Sequence, residues 1–289
     1  MTETVIEAQS LTKEFGKRTR SGAAFRAVDD VSFRLSRGTT LALVGESGSG
    51  KSTTARMVAQ LIKPTSGRVL LNGTDVTGAG GASLRQFRSQ VQVVFQDPFS
   101  SLNPRHSVET IITAPLRYQK RTVPGGTRRF TQQLMERVGL DPDHYRRLPS
   151  QFSGGQAQRI GIARALAVNP SLVICDEAVS ALDVSVQAQV INLLARLQAE
   201  EGLSYLFIAH DLAVVRQIAD QVAVMSEGSI VEAGDREEVF DRPRHPYTQK
   251  LLSAIPRIPS EWDAARRAAR EPTPALQQVA GSPPGQEKR

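Results

Sequence analysis

Cysteine is almost missing from this 289-residue sequence: Cys175 is the only one. That excludes an internal disulfide, and any zinc site or iron–sulfur cluster built from the cysteines of one chain, and it fits a reducing compartment. Long apolar runs are missing as well. None approaches the roughly 18 residues needed to cross a bilayer, so no membrane span is predicted. The first ten residues carry Glu3 and Glu7 and lack the basic, then apolar, then small-residue progression of a secretory signal, which predicts a cytoplasmic location. Aromatic residues make up only 5% of the chain. The basic stretches Lys17 to Arg26 and Arg117 to Arg129 show no nucleic-acid-binding motif and no pattern of aromatics interleaved with the charges. The net charge of +7 therefore predicts solvated surface and no nucleic-acid partner.

What is present is an ordinary globular composition, 40% hydrophobic and 22% charged, on a chain long enough for one large α/β domain with subdomains. Strand patterns at Val5 to Ala8 and Val31 to Leu35 predict an antiparallel start. The apolar run Thr40 to Val44 predicts the first buried strand; a glycine-rich turn and a helix from Thr53 to Leu61 follow it. Further strands are expected at Arg68 to Leu71, Val91 to Phe95, Leu172 to Cys175, Tyr205 to Ala209, Gln221 to Met225 and Gly228 to Ala233. A helix is expected at Val186 to Glu200. Residues 107 to 168 lack strand patterning and predict an inserted helical region broken at Pro115, Pro124 to Gly126, Pro142 and Pro149. This alternation points to a mostly parallel sheet with helices on both faces. Beyond Pro256 the chain is polar and rich in Pro, Ala, Arg and Gln, the composition of a disordered tail.

Two motifs carry chemistry. Gly45-Glu46-Ser47-Gly48-Ser49-Gly50-Lys51-Ser52 matches the phosphate-binding pattern G-x-x-x-x-G-K-[ST], between a predicted strand and a predicted helix. Its glycines let successive N–H groups face phosphate oxygens, Lys51 adds positive charge, and the Ser52 hydroxyl suits Mg²⁺. Asp176-Glu177 closes an apolar strand, where the first acid can orient Mg²⁺ and the second can polarise an attacking water. Acids at a strand end are often helix caps, but beside a phosphate loop the pair predicts a nucleoside triphosphatase.

Phe152-Ser153-Gly154-Gly155-Gln156 resembles the L-S-G-G-Q signature of ABC ATPases, and the order of motifs along the chain is that family's. The resemblance implies a P-loop NTPase (RecA-like) α/β core with an N-terminal antiparallel β-subdomain and an inserted α-helical subdomain. It implies ATP and Mg²⁺, with Glu177 as general base and His210 as the switch histidine. Nucleotide contacts fall on Phe15 (Phe25 the weaker candidate for adenine stacking), on Gly45, Glu46, Ser47, Gly48, Ser49, Gly50, Lys51, Ser52 and Thr53, and on Gln96. The signature residues Ser153, Gly154, Gly155 and Gln156 and the D-loop residue Asp183 would act on ATP across a dimer. Mg²⁺ would be held by Ser52, Gln96 and Asp176.

Phe95 to Arg105, Val179 to Gln189 and Arg244-His245-Pro246-Tyr247-Thr248 look like the peptide-importer branch, closer to its F-type subunit than to its D-type. The implied domains are an ATPase over 1–256, with helices at about 105–168 and the branch's C-terminal element at about 235–256, then a tail over 257–289. The implied partners are a second ABC ATPase subunit, a D-type paralogue or a second copy, and two transmembrane permeases. An extracytoplasmic substrate-binding protein would act indirectly. The implied place is the cytoplasmic face of the inner membrane, peripheral to it. Phe152 for the signature leucine, Ala178 for a proline and Ala157 for an arginine depart from the pattern without removing a phosphate-contacting group. Importers of nickel, glutathione or opines, and soluble ABC ATPases acting on ribosomes or DNA, are the alternatives.

Overall fold

Residues 3–16, 25–123 and 125–253 are described by a computed structural model of the chain. The tail expected at 257–289 lies outside them, as does most of the basic stretch from Lys17. Strand β1 (Thr4–Phe15) pairs antiparallel with β2 (Phe25–Ser36), and β3 (Thr40–Val44) runs into the glycine turn and α1 (Lys51–Val58). Next come β4 (Ser66–Leu71), β5 (Thr74–Asp75), α2 (Gly81–Gln90) and β6 (Val91–Phe95). The helical region holds α3 (Pro98–Ser101), α4 (Val108–Tyr118), α5 (Thr127–Arg137), two 3-10 turns at Pro142–Arg146 and Pro149–Gln151, and α6 (Gly154–Leu166). The chain closes through β7 (Leu172–Asp176), α7 (Val184–Glu201), β8 (Ser204–Ile208), α8 (Leu212–Ile218), β9 (Gln221–Ser226), β10 (Ser229–Asp235), α9 (Arg236–Asp241) and α10 (Pro246–Ser253).

Two sheets result. One is antiparallel, in the order β2-β1-β4-β5; the other runs β10-β9-β3-β8-β7-β6 and is parallel except for its β10–β9 edge. Strands β3, β7 and β8 are buried at every residue, which explains why they read as unbroken apolar runs and not as alternating ones. Helix α1 buries Ala55, Met57 and Val58 in a core shared by both sheets, with Ile6, Leu35 and Val69 on one side and Leu43, Ile174 and Leu206 on the other. The phosphate-loop helix is thereby fixed to both layers.

The expected strands all form, but four local expectations change. The helix after the glycine turn begins at Lys51, two residues before Thr53. Pro115 does not break its helix: it lies inside α4, near the end, where its missing N–H costs a single bond to the Ile111 carbonyl. Helix α2 gave no signal because only Phe87 among its ten residues is buried, and α8 spans seven residues. The last core strand, β10, returns antiparallel through a tight turn in which Glu227 and Gly228 both take left-handed φ (47° and 86°).

Cys175 lies inside β7 with no exposed surface, and burial, helped by the neighbouring Asp176 carboxylate, pushes its thiol up to about 12. A raised thiol value means that thiolate, the reactive form, stays scarce through the neutral range. Thiol reagents at pH 8 are expected to leave Cys175 untouched in the folded chain and to label it fully in denaturant. Rapid labelling of the native protein contradicts the buried placement of β7.

Candidate functional site

Strand β3 stops at Val44 and α1 starts at Lys51, so six residues must reverse the chain. Gly45, Gly48 and Gly50 take φ of 148°, 82° and 103°, where a side chain is strained. Space forbids one too: a Cβ on Gly45 would collide with the Met225 carbonyl oxygen, and one on Gly50 would lie 2.6 Å from the Ala27 carbonyl oxygen. Gly50 caps α1 without a side-chain bond, which leaves the first-turn amides of Lys51, Ser52 and Thr53 free for a ligand. The loop is pinned from outside by the Gly228 N–H on the Ser49 carbonyl (3.1 Å) and by the Tyr247 hydroxyl, which accepts from the Glu46 N–H (3.0 Å).

Lys51 is buried inside the curl. Its ammonium donates to the carbonyls of Gly45 and Glu46, both at 2.8 Å, and to Ser49 Oγ at 3.2 Å. Burial holds its pKa below the usual amine value, while the carboxylates of Glu177 and Asp176 work the other way. Around it, Glu46, Ser47 and Gly48 are exposed, and Ser52 and Thr53 are half-buried.

Asp176 ends β7 at the same edge of the sheet. Parallel pairing sets it beside Phe95, so Gln96, exposed, leaves the neighbouring strand next to it. Asp176 is 6% exposed; its Oδ1 has no hydrogen-bond partner, and its Oδ2 lies 3.7 Å from Arg56 Nε. An unpaired carboxylate oxygen at that depth is costly unless a cation or a water meets it, which fits a divalent metal. Among the described residues no group of three or more His, Cys, Asp or Glu could hold a metal ion unaided. Mg²⁺ here would therefore depend on few protein ligands and on the substrate's phosphates, the usual habit of that ion.

Glu177 stands in left-handed backbone (φ 52°), held by its N–H on the Ile208 carbonyl (3.1 Å) and by its own carbonyl, which accepts from the Ser180 N–H (3.1 Å) and Oγ (3.0 Å). A non-glycine residue in that region stores strain that the surroundings must enforce. His210, after β8, brings Nδ1 to 3.9 Å from Glu177 Oε2, and both line one small pocket with Ser180, Gln187 and Asp211.

Three other expected residues or groups lie on other elements. Phe15 and Phe25 are exposed and face each other at one rung of the β1–β2 ladder, with Lys13 Nζ 5.3 Å from the Phe15 ring centroid. The weaker adenine candidate is thus the cross-strand neighbour of the stronger one. Ser153 to Gln156 open α6 as a reciprocal cap: Ser153 Oγ accepts from the Gln156 N–H (3.3 Å), and Gln156 Oε1 accepts from the Ser153 N–H (2.9 Å). Among the described residues no hydrogen bond or ion pair joins this cap to Gly45–Thr53. Asp183 starts α7, exposed and with no capping bond. Sequence reasoning missed Arg56, Gln158, whose amide donates to the Phe95 carbonyl (3.3 Å), and Tyr247 as a partner of the loop. No local pattern marks a contact 201 residues away.

Residues 28–180 match the ABC transporter family, and residues 231–283 match the C-terminal region of oligopeptide/dipeptide transporters. The chain belongs to the ABC transporter family and is an ATP-binding, ATP-hydrolysing cassette. It is 50% identical over 260 residues to a probable peptide ABC transporter ATP-binding protein, y4tS, of Sinorhizobium fredii, covering 89% of this chain and 74% of that one. It is 47% identical over 281 residues to the oligopeptide transport ATP-binding protein OppF of Bacillus subtilis, covering 96% and 91%. Among solved structures, the dimeric post-hydrolysis state of the ATP-binding cassette MJ0796, bound to ADP and phosphate, superposes with a TM-score of 0.71 at 26% identity. That match covers 80% of this chain and 98% of the other.

Replacing Gly45 by alanine forces a side chain into both a left-handed φ and a backbone oxygen. Urea unfolding is expected to show a loss of more than about 1 kcal/mol, together with weakened nucleotide binding. An alanine variant as stable as the parent contradicts the close approach of Met225.

Proposed function

We propose that the chain drives import of peptides by hydrolysing ATP at the edge of its parallel sheet. The observation that carries this is the convergence there of a buried lysine in a phosphate loop, an unpaired aspartate oxygen, and a strained glutamate beside a histidine. Adenine stacks on Phe15, with Phe25 beside it. The triphosphate follows the amides of Gly48 to Thr53, and Lys51 exchanges loop carbonyls for phosphate oxygens. Asp176, Ser52 and Gln96 would hold Mg²⁺, which neutralises charge on the transferred phosphoryl group. Glu177 takes a proton from the water that attacks the γ-phosphorus; the bond to the bridging oxygen breaks, leaving ADP and phosphate. His210 binds the γ-phosphate.

Ser153, Gly154, Gly155 and Gln156 act in a dimer, where α6 of one subunit presents its N-terminus to the γ-phosphate held by the other. Asp183 stands at the same junction. The second subunit is a D-type paralogue or a second copy, and the pair moves two permeases from the cytoplasmic face of the membrane, fed by an extracytoplasmic binding protein. Among the described residues no helix is long and apolar enough to cross a membrane, consistent with a peripheral subunit. Peptide cargo is supported by the match of residues 231–283 and by the relatives OppF and y4tS. A glutathione importer's ATP-binding protein, GsiA of Pectobacterium atrosepticum, is 49% identical, but this chain covers only 41% of it.

Glu177→Gln keeps the shape and removes the base. ATP hydrolysis is expected to fall at least about 100-fold while ATP binding persists, and mass spectrometry of what co-purifies with the variant from solubilised membranes should find two permeases and a second cassette. Ribosomal or DNA-repair proteins in their place contradict the transport reading.

A further inference from the structure

The peptide group between Gly45 and Glu46 is held from both ends. Its carbonyl accepts from Lys51 Nζ at 2.8 Å, and its N–H donates to the Tyr247 hydroxyl at 3.0 Å. Two charged or polar groups thus meet across one rigid amide, and bonds in series through an amide polarise one another. Tyr247 is aimed at this amide by its own surroundings. Glu232 on β10 accepts from the backbone N–H groups of Arg244 (2.7 Å) and His245 (3.0 Å), which fixes the turn into α10. His245 Nδ1 then accepts from the Tyr247 N–H at 3.2 Å. Strand β10 itself starts just after Gly228, whose N–H holds the Ser49 carbonyl. A single segment, from Gly228 to Tyr247, therefore grips the phosphate loop at two points, and the grip at Glu46 leaves the first-turn amides of α1 free.

We propose that Tyr247 is a positioning residue of the nucleotide site: through the Gly45–Glu46 peptide it sets where the Lys51 ammonium waits before phosphate arrives. The proposal rests on the ATP reading above and adds to it a role for the C-terminal element, which contacts the loop directly. When phosphate oxygens replace the loop carbonyls on Lys51, the amide loses its cation on one side and keeps Tyr247 on the other. The hydroxyl thus holds the loop's shape while the lysine changes partners. Without the hydroxyl the amide is free to turn, and part of the ordering cost of the loop falls on ATP binding.

Tyr247→Phe removes one oxygen and keeps the half-buried ring. Titration of the full-length chain with a fluorescent ATP analogue is expected to show roughly two- to tenfold weaker binding, the span of one hydrogen bond. Steady-state hydrolysis should show KM raised by more than kcat is lowered. A packing defect alone would lower the thermal midpoint without ligand, which is expected to match the parent. In a Lys51→Ala background, Tyr247→Phe should add no further loss, because the residue through which it acts is gone. An unchanged affinity in the single variant, or losses that multiply in the double variant, overturns the proposal. A parent chain that binds no ATP overturns the nucleotide reading and the proposal with it; intact parent binding with an indifferent Tyr247→Phe overturns the proposal alone.

Discussion

A buried ammonium with its donors spread over loop oxygens is the constraint on which the site's geometry depends. Lys51 is 4% exposed, and a charge at that depth is tolerated only with partners. Two backbone carbonyls and one hydroxyl supply them, and they converge only if the chain doubles back within six residues. That curl requires left-handed glycines, a fully buried strand to launch it and a helix anchored in both sheets to receive it. The same convergence suits the proposed change of partners: phosphate oxygens are stronger acceptors than carbonyls, and the start of α1 carries no side-chain cap.

Opposite the lysine, the parallel sheet does the positioning. Pairing of Phe95 with Asp176 and of Asp176 with Ile208 puts the ends of β6, β7 and β8 level, so Gln96, Glu177 and the residues leading to His210 emerge at one edge. One sheet thus places the proposed Mg²⁺ ligands Gln96 and Asp176 beside the proposed base and histidine, although Gln96 and His210 lie 114 residues apart in the chain. The capped start of α6 is tied back to the same edge by Gln158 on the Phe95 carbonyl. It makes no hydrogen bond or ion pair with its own phosphate loop among the described residues.

Much of this was readable from residues alone, for identifiable reasons. The parallel strands are continuous apolar runs because both faces are covered, and the phosphate loop is a short-range pattern in which every glycine answers a local geometric need. What escaped was long-range or weakly patterned. The ten-residue α2 buries one side chain, so it has no apolar stripe. Pro115 suggested a break, yet near a helix end its penalty is small, and α4 runs on through it to Tyr118. The antiparallel return of β10 depends on the Glu227–Gly228 turn and not on anything in the strand itself. The contact between Tyr247 and Glu46 is a tertiary fact with no periodic trace, visible only once β10 and α10 are folded against the loop.

Water activated at Glu177 is proposed to attack the γ-phosphorus of an ATP held by Lys51. Hydrolysis in water enriched in heavy oxygen, with mass analysis of both products, tests this most directly. Inorganic phosphate carrying one heavy oxygen and ADP carrying none is the predicted result. Label in the terminal phosphate of ADP, or turnover that persists undiminished without Lys51 and Glu177, would contradict it.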